Sequence, residues 1–250
     1  MIKKFVFSII ILLLSGSFVF AEGEDYRSTR KIMSIQAPVI SDFENTALVG
    51  QWILGETSPN CDKDITAVKA APGGPWGLAV PDEGKKTCLG IKSGFKTRGY
   101  NYAEILPPVF RSDDYPGLKN LFNTIIPNPL NERFIPMPGK VQSVDVWVAG
   151  RNFRYNLEIW LKDYNGFVYA LEMGKINFQG WRNLSRQMPE YIPQEEKYLP
   201  KEKPLKFLKF IVRSDPDERA DKIYMYFDHM KVITDVYIER FDGDDIKDTW

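Results

Sequence analysis

Apolar and polar residues alternate without a break over residues 153–162. The alternate apolar positions hold Phe153, Tyr155, Leu157, Ile159 and Leu161. Successive side chains of a β-strand point to opposite faces of a sheet, so this pattern predicts a half-buried strand. Similar alternation over 144–148 and 167–173 predicts a strand on either side of it, and the DYNG sequence at 163–166 has the residues of a tight turn. We therefore predict a three-stranded antiparallel meander in one sheet.

Strand-like segments recur through the rest of the chain. They include 47–55, the segments around Ile65 and Cys88, the one that ends at Pro107, and two long segments at 205–213 and 223–238. A sheet with one apolar face must be covered by a second layer, and helical periodicity is scarce here. About ten strands predict an all-β fold, an antiparallel β-sandwich of the jelly-roll or galactose-binding-like kind with long loop elaborations.

The first 21 residues have the pattern of a secretory signal peptide. Lys3 and Lys4 precede a long apolar run, and Ala21 provides a small residue at the expected cleavage point. An uncleaved membrane anchor is the alternative, although the run is slightly short for a membrane span. No later segment is long and apolar enough to span a bilayer, so we expect an exported, soluble mature chain.

The remaining composition divides the chain into regions. We predict an N-terminal arm at 22–40, a single β-sandwich domain at 41–240 and an acidic tail at 241–250. Within the domain, 111–138 is rich in proline and asparagine and predicts an elaborated loop with one helical turn near 118–122. The apolar residues of this loop either pack against the sandwich or form a protrusion that faces a partner.

Charge and cysteine content narrow the classes of function. Basic and acidic residues number 33 each, which is not the footprint of a nucleic-acid-binding protein. Cys61 and Cys88 are the only cysteines, and in an exported protein we predict that they form a disulfide, with two buried free thiols or an intermolecular bridge as alternatives. Two cysteines and one distant histidine do not make a zinc site, so we predict no metal and no cofactor.

Residues suited to catalysis are scarce. His229, the only histidine, adjoins Asp228 on a predicted strand, and adjacent strand residues point to opposite faces. Glu158 and Glu172 are the best pair for a glycosidase, but solvated acids on a sheet face are common in β-proteins. We predict that the protein is not an enzyme. Scattered aspartates such as Asp42 and Asp228 could either bind calcium or serve in turns.

Aromatic residues are the better candidates for recognition. Trp147 and Trp160 lie on the faces opposite the aliphatic stripes of their strands. Such tryptophans stack on sugars, anchor protein contacts or pack beneath loops. Together with Arg151, Asn152 and Trp181, they form our set of candidate partner-contact residues.

An ordered series of elements occurs within residues 139–192: Gly139, Val141, Ser143, Gly150, Asn152 and Phe153; then Asp163 to Gly166; then Tyr169 to Gly174; then Phe178, Trp181, Pro189, Tyr191 and Ile192. This series resembles the outer-layer, or sheath, proteins of spirochaete periplasmic flagellar filaments. A late element, 226–232, is similar to a strand near the family's C-terminus. The family's usual tryptophan before the proline segment is replaced here by 186–188.

The resemblance implies a structural protein of the periplasm. Such a protein coats the flagellin core filament and adjusts its stiffness or curvature for motility, with flagellin, other sheath proteins and its own copies as partners. The alternative is a periplasmic carbohydrate-binding β-sandwich that uses Trp147, Trp160 or Trp181 as stacking platforms.

Overall fold

The computed structural model describes residues 33–78, 86–115, 118, 121, 128–195, 203–219 and 222–237. The predicted signal peptide and the acidic tail lie outside the described residues. Within the described part of the chain, no helix has both the length and the apolar character that crossing a membrane requires.

Thirteen strands are present in the described residues. They are β1 (Ile35–Gln36), β2 (Val39–Ser41), β3 (Ile53–Thr57), β4 (Ala67–Pro72), β5 (Thr87–Ser93), β6 (Tyr102–Leu106), β7 (Ile135–Met137), β8 (Lys140–Arg151), β9 (Tyr155–Lys162), β10 (Val168–Lys175), β11 (Gln179–Gln187), β12 (Leu205–Ser214) and β13 (Ile223–Asp235). One short helix, α1 (Thr46–Val49), precedes β3, and a 3-10 turn covers Ser112–Asp114.

The strands form two antiparallel sheets. Sheet A has the order β11-β8-β13-β5-β4, and β1 and β2 also pair with β13. Sheet B has the order β10-β9-β12-β6-β3, and β7 also pairs with β12. The all-β, two-sheet antiparallel architecture predicted from the sequence is thus confirmed.

The inner faces of the two sheets meet in one hydrophobic core. Phe210 of β12 stacks on Phe227 of β13 with ring centroids 5.0 Å apart, which links sheet B to sheet A. Trp52 also stacks on Phe210, at 5.9 Å. Because aromatic side chains each bury a large apolar area, this aromatic cluster contributes strongly to the cohesion of the layers.

The predicted three-stranded meander is wrong in one strand. The pair β9 and β10 forms the hairpin expected from the turn at 163–166, but β8 lies in sheet A. The chain crosses between the sheets at 152–154, where Asn152 has a φ of 61°. Alternation of apolar residues shows which face of a strand is buried, and it does not show which strand is the neighbour.

The chain start and the 47–55 segment also differ from prediction. The described residues of the predicted arm include β1 and β2, which extend sheet A beside β13. The predicted first strand is replaced by α1 followed by β3, because the Asn45 side chain accepts bonds from the amides of Ala47 and Leu48 and caps a helical turn. The β11 strand was missed, since most of its residues are exposed and no apolar alternation marks it.

The elaborated loop is only partly described. The helical turn expected near 118–122 lies largely outside the described residues. Phe110 stacks on Tyr115 at 5.8 Å and on Phe134 at 5.0 Å, and Leu118 is buried. The described aromatic residues of this region therefore pack against the sandwich.

The predicted disulfide is absent, and both cysteines are free and buried. Cys88 lies near the start of β5, opposite Ala71, whereas Cys61 pairs with Phe95 beyond the other end of that strand. At about 3.3 Å per residue, a strand of this length separates the two positions by roughly 20 Å, far beyond the ~7 Å limit for a disulfide. Burial, together with Asp228 and Glu44, raises the pKa of the Cys88 thiol to about 12.

Candidate functional site

The five candidate contact residues do not form one surface. Val144, Val146 and Val148 of β8 point into the core, so Trp147 and Arg151 point outward from sheet A. Trp181 of β11 is opposite Ala149 in the register and shares this outer face. Asn152 forms the adjoining corner. Trp160 lies on the outer face of sheet B, on the other side of the sandwich.

A groove of about 820 Å³ crosses the outer face of sheet A. Its lining comes from β4 and the following glycines, β5, β8, β11 and β13: Ala71, Pro72, Gly73, Gly74, Cys88, Ala149, Gly150, Arg151, Gln179, Gly180, Trp181 and Tyr226. We call this the sheet A groove. Small residues form much of its floor, and the larger side chains stand beside them.

The local sequence fixes the position of the groove. A Cβ added at Gly150 would lie 2.6 Å from the carbonyl oxygen of Phe178 and 2.7 Å from that of Ile176, so only glycine permits this backbone contact. The Asn152 amide donates a hydrogen bond to the Phe178 carbonyl at 2.8 Å. These contacts hold together the two corners at which the chain crosses between sheets, and they set Gln179 directly opposite Arg151.

Arg151 is held by aromatic rings and not by a carboxylate. Its guanidinium carbon lies 5.3 Å from the ring centroid of Tyr224 and 5.9 Å from that of Tyr226. Among the described residues, no acidic side chain pairs with it. The guanidinium is exposed, so its donors remain available at the rim of the groove.

A glycine-rich loop closes one side of the groove. Gly73 and Gly74 line it, and two residues later Trp76 is 97% exposed. The sequence suggested only a turn here, and Trp76 was not among the candidate residues. Trp76 therefore adds a large exposed apolar surface to the loop beside the groove.

The Asp228 side chain lies beneath this loop. A Cβ added at Gly74 would lie 2.8 Å from the Asp228 carboxylate, which is 4% exposed. Burial is the main cause that raises the pKa of Asp228 to about 7, and Glu44 and Asp42 add to it, while the His229 amide and Lys86 oppose it. The Asp228 carboxylate accepts from the His229 amide at 2.7 Å.

A β-bulge in β13 at Asp228 and His229 interrupts the regular strand alternation that the sequence predicts. The register of β13 against β8 shifts between Asp228 and Lys231, and His229 has a φ of 45°. Odd-numbered residues up to Phe227 face the core, and even-numbered residues from Met230 do so afterwards. Among the described residues, no group of three or more acidic, histidine or cysteine side chains is arranged to hold a metal ion.

The outer face of sheet B has the opposite character, because its polar groups bond to one another. The Trp160 indole donates to Glu158 at 3.1 Å, and Arg213 Nε donates to the other oxygen of Glu158 at 2.6 Å. Lys209 pairs with Glu104 at 2.5 Å and lies 4.5 Å from the Trp160 ring centroid. Trp160 is thus part of a closed network and is not an open stacking surface.

The paired carboxylates considered for catalysis belong to the same face. Glu158 and Glu172 are directly opposite in the β9 to β10 register. Glu158 is already occupied by Arg213 and Trp160, Glu172 is exposed, and neither lines the sheet A groove. The Glu158 carboxylate thus belongs to the hydrogen-bonded network on the outer face of sheet B.

A further exposed apolar surface lies at the β9 to β10 hairpin. Phe167 is 66% exposed and Tyr191 is 69% exposed. Tyr164 and Val168 are also exposed, and the Tyr169 ring lies 6.1 Å from that of Tyr191. We call these residues the hairpin patch. The hairpin patch was not predicted, because Phe167 and Tyr191 are far apart in the sequence.

Fold and surface together define an antiparallel β-sandwich with a groove on one outer face. A family model described as flagellar filament outer layer protein FlaA matches residues 63–242. The chain belongs to this family, which confirms the resemblance found in its sequence. The matched region includes strands of both sheets.

Relatives from spirochaetes carry the same description. The chain is 29% identical over 214 residues to a flagellar filament outer layer-like protein of Brachyspira hyodysenteriae, covering 85% of each chain. It is 26% identical to the flagellar filament outer layer proteins of Spirochaeta aurantia and Borreliella burgdorferi, over 61% and 63% of its own length. It spans about half of these two relatives, 48% and 47%.

Solved structures with a similar fold include carbohydrate-binding modules. A family 61 module in complex with β-1,4-galactotriose gives a TM-score of 0.40 at 15% identity, covering 76% of this chain and 93% of that chain. A family 11 module from Clostridium thermocellum gives a TM-score of 0.41 at 11% identity, covering 80% of this chain and 97% of that chain.

Proposed function

We propose that this protein is a structural component of the outer layer of the periplasmic flagellar filament. In this role it coats a core of flagellin and modulates the stiffness or curvature of the filament for motility. The observation that carries the proposal is the match of the outer-layer family model to residues 63–242, the region that contains most of both sheets.

The mechanical effect follows from the geometry of a coat. A subunit that contacts several core subunits adds resistance to bending, and uneven coating biases the curvature. The role requires a rigid unit, and a two-sheet core joined by stacked aromatic rings is suited to it. It requires no catalysis, and we propose that the protein performs none.

The hairpin patch is our proposed contact with the filament, either with the core or with neighbouring outer-layer subunits. Phe167 and Tyr191 expose large apolar surfaces on the same part of the molecule. Aromatic residues that are held in place and exposed to solvent lose little conformational entropy on binding, and they dominate the affinity of many interfaces. The predicted signal peptide supports export to the periplasm, where this filament lies.

The first test is to purify periplasmic filaments from the native organism and from a strain that lacks this protein. We expect mass spectrometry to find the protein only in the native filaments, and electron cryo-microscopy to show altered curvature or stiffness in the deletion strain. Absence of the protein from native filaments, or filaments of unchanged shape, would reject the proposal.

The contact surface is tested by complementing the deletion strain with variants. Replacing both Phe167 and Tyr191 with aspartate should leave the fold intact and release the protein from the filament. Leu130→Asp is the matched control, because Leu130 is 78% exposed and lies outside the hairpin patch. Equal loss of both variants from filaments would show that the patch is not the contact.

The alternative, a carbohydrate-binding β-sandwich that uses Trp147, Trp160 or Trp181 as stacking platforms, is not favoured for Trp160. Trp160 lies on the opposite outer face from Trp181, and its indole N–H is bonded to Glu158. The three tryptophans therefore cannot contact one ligand together.

A further inference from the structure

We propose that the sheet A groove is a saccharide-binding site. In this site Trp181 is the surface on which a sugar ring stacks, and Arg151 and Gln179 supply hydrogen bonds to sugar oxygens. This inference does not rest on the proposed filament role, because it depends only on the geometry of the outer face.

Three side chains with unused hydrogen-bonding groups meet at the sheet A groove. Arg151 and Gln179 face each other across the β8 to β11 pair, and Trp181 is the next residue of β11 on the same face. Within the described chain, none of the three side chains makes a hydrogen bond or an ion pair. Side chains that converge on a groove without partners of their own are suited to bind a polar ligand.

The floor of the groove is made of small residues. Ala71, Ala149 and Gly150 leave a depression of about 820 Å³ beside the larger side chains of Arg151, Trp181 and Tyr226. Pockets of several hundred Å³ hold ligands of a few rings, which is the size of a short oligosaccharide.

The direction of the groove suits a saccharide better than an extended peptide. The groove crosses the face of sheet A, where the backbone groups of β8 and β13 are already paired on both sides. An extended peptide that adds to a sheet runs along an edge strand, whereas this groove runs across the strands from β11 to β4. Recognition must come from ring faces and side-chain donors, which suit a hydroxylated ring.

The charges around the groove indicate the charge of the ligand. Lys92 lies opposite Tyr224, and Lys69 lies in the same row as Tyr226, so both face outward with Arg151. The carboxylates of Asp228, which is buried, and of Glu44 lie near Cys88, at the end of the groove away from Arg151. We therefore expect saccharides that carry carboxylates, such as uronic acid oligomers, to bind more tightly than neutral ones.

The experiment is a titration of the full exported chain, followed by NMR or calorimetry. The probes are a tetramer of galacturonic acid and a neutral tetramer of N-acetylglucosamine, preceded by a glycan array that includes acidic and neutral oligosaccharides. We expect binding of the acidic probe to weaken at least tenfold in Trp181→Ala and in Arg151→Ala. Trp160→Ala is the matched control and should bind as the native protein does.

Four results would overturn the proposal. They are the absence of any bound glycan on the array at millimolar concentration, a preference for neutral over acidic probes, retention of binding in Trp181→Ala, and equal loss in Trp160→Ala. Unfolding transitions of each variant exclude a general loss of structure as the cause.

Filament association of the same variants separates this proposal from the proposed function. If Trp181→Ala loses saccharide binding but still copurifies with filaments, both proposals stand. If it loses filament association while the native protein binds no glycan, the groove contacts protein and the saccharide proposal fails.

Discussion

The outer faces of the two sheets carry similar residues and use them differently. On sheet B, Trp160, Glu158 and Arg213 bond to one another, and Lys209 pairs with Glu104. On sheet A, Arg151 contacts only the rings of Tyr224 and Tyr226 among the described residues. A tryptophan and an arginine on a sheet face therefore do not by themselves identify a binding site. Such residues are available to a ligand only where their polar groups are not already bonded to other side chains.

The largest expected effect concerns the backbone behind the sheet A groove. Gly150→Ala should lower the free energy of unfolding by about 3 kcal/mol, because the new Cβ would meet two backbone oxygens that cannot move independently of the corner. Chemical denaturation measures this change in unfolding free energy. Gly55→Ala on sheet B is the comparison, since its Cβ would meet only side-chain atoms of Glu104 and Leu106, at 3.1 Å. Equal losses of unfolding free energy in Gly150→Ala and Gly55→Ala would contradict this prediction.

The second prediction concerns the closed network on sheet B. Glu104→Gln should destabilise the fold by about 2 kcal/mol, because it leaves the mostly buried Lys209 ammonium, 18% exposed, without its charged partner. Arg151→Gln on sheet A should change stability by less than ~0.5 kcal/mol. Thermal and urea unfolding of both variants test this, and a larger loss in Arg151→Gln would reverse the comparison.

The third prediction uses the raised pKa of Asp228, mainly caused by burial. Between about pH 4 and pH 7 the folded state holds a proton that the unfolded state has lost, so this residue makes stability fall as the pH rises through that range. Asp228→Asn should remove this pH dependence of stability.

His229 must be considered in the same measurement. Burial lowers the pKa of His229. His229 therefore makes the stability rise as the pH increases through the range in which it titrates. The test is therefore the difference between native and Asp228→Asn unfolding free energies at several pH values. A difference that is constant from pH 4 to pH 7 would contradict the assigned pKa shift.

The smallest expected effect compares the two tryptophans directly. Trp160→Ala should cost about 1 kcal/mol, because it removes the ring beneath Lys209 and a hydrogen bond to Glu158. Trp181→Ala should cost less, since within the described residues its indole N–H has no partner. Unfolding measured at one pH suffices, and a greater cost for Trp181 would indicate that it serves the fold and not a ligand.

Much of the site could be found from the sequence, although not its arrangement. Arg151, Trp147 and Trp181 were identified as contact candidates, and the structure places them on one face. Trp160 was grouped with them because alternation marks it as outward, but alternation carries no information about the sheet to which a strand belongs. Trp76 was missed because it lies in a turn without periodicity, and the hairpin patch was missed because Phe167 and Tyr191 are far apart in the sequence.

The sequence by itself determined the all-β class, the β9 to β10 hairpin and the family, because residue alternation and turn chemistry act over a few neighbouring positions. Only the tertiary structure decided that β8 crosses to sheet A, that Cys61 and Cys88 lie at opposite ends of β5, and that the groove forms between five strands. These features depend on which distant segments pair. That choice is made by the packing of the whole core, in which Phe210 and Phe227 come together from strands of different sheets.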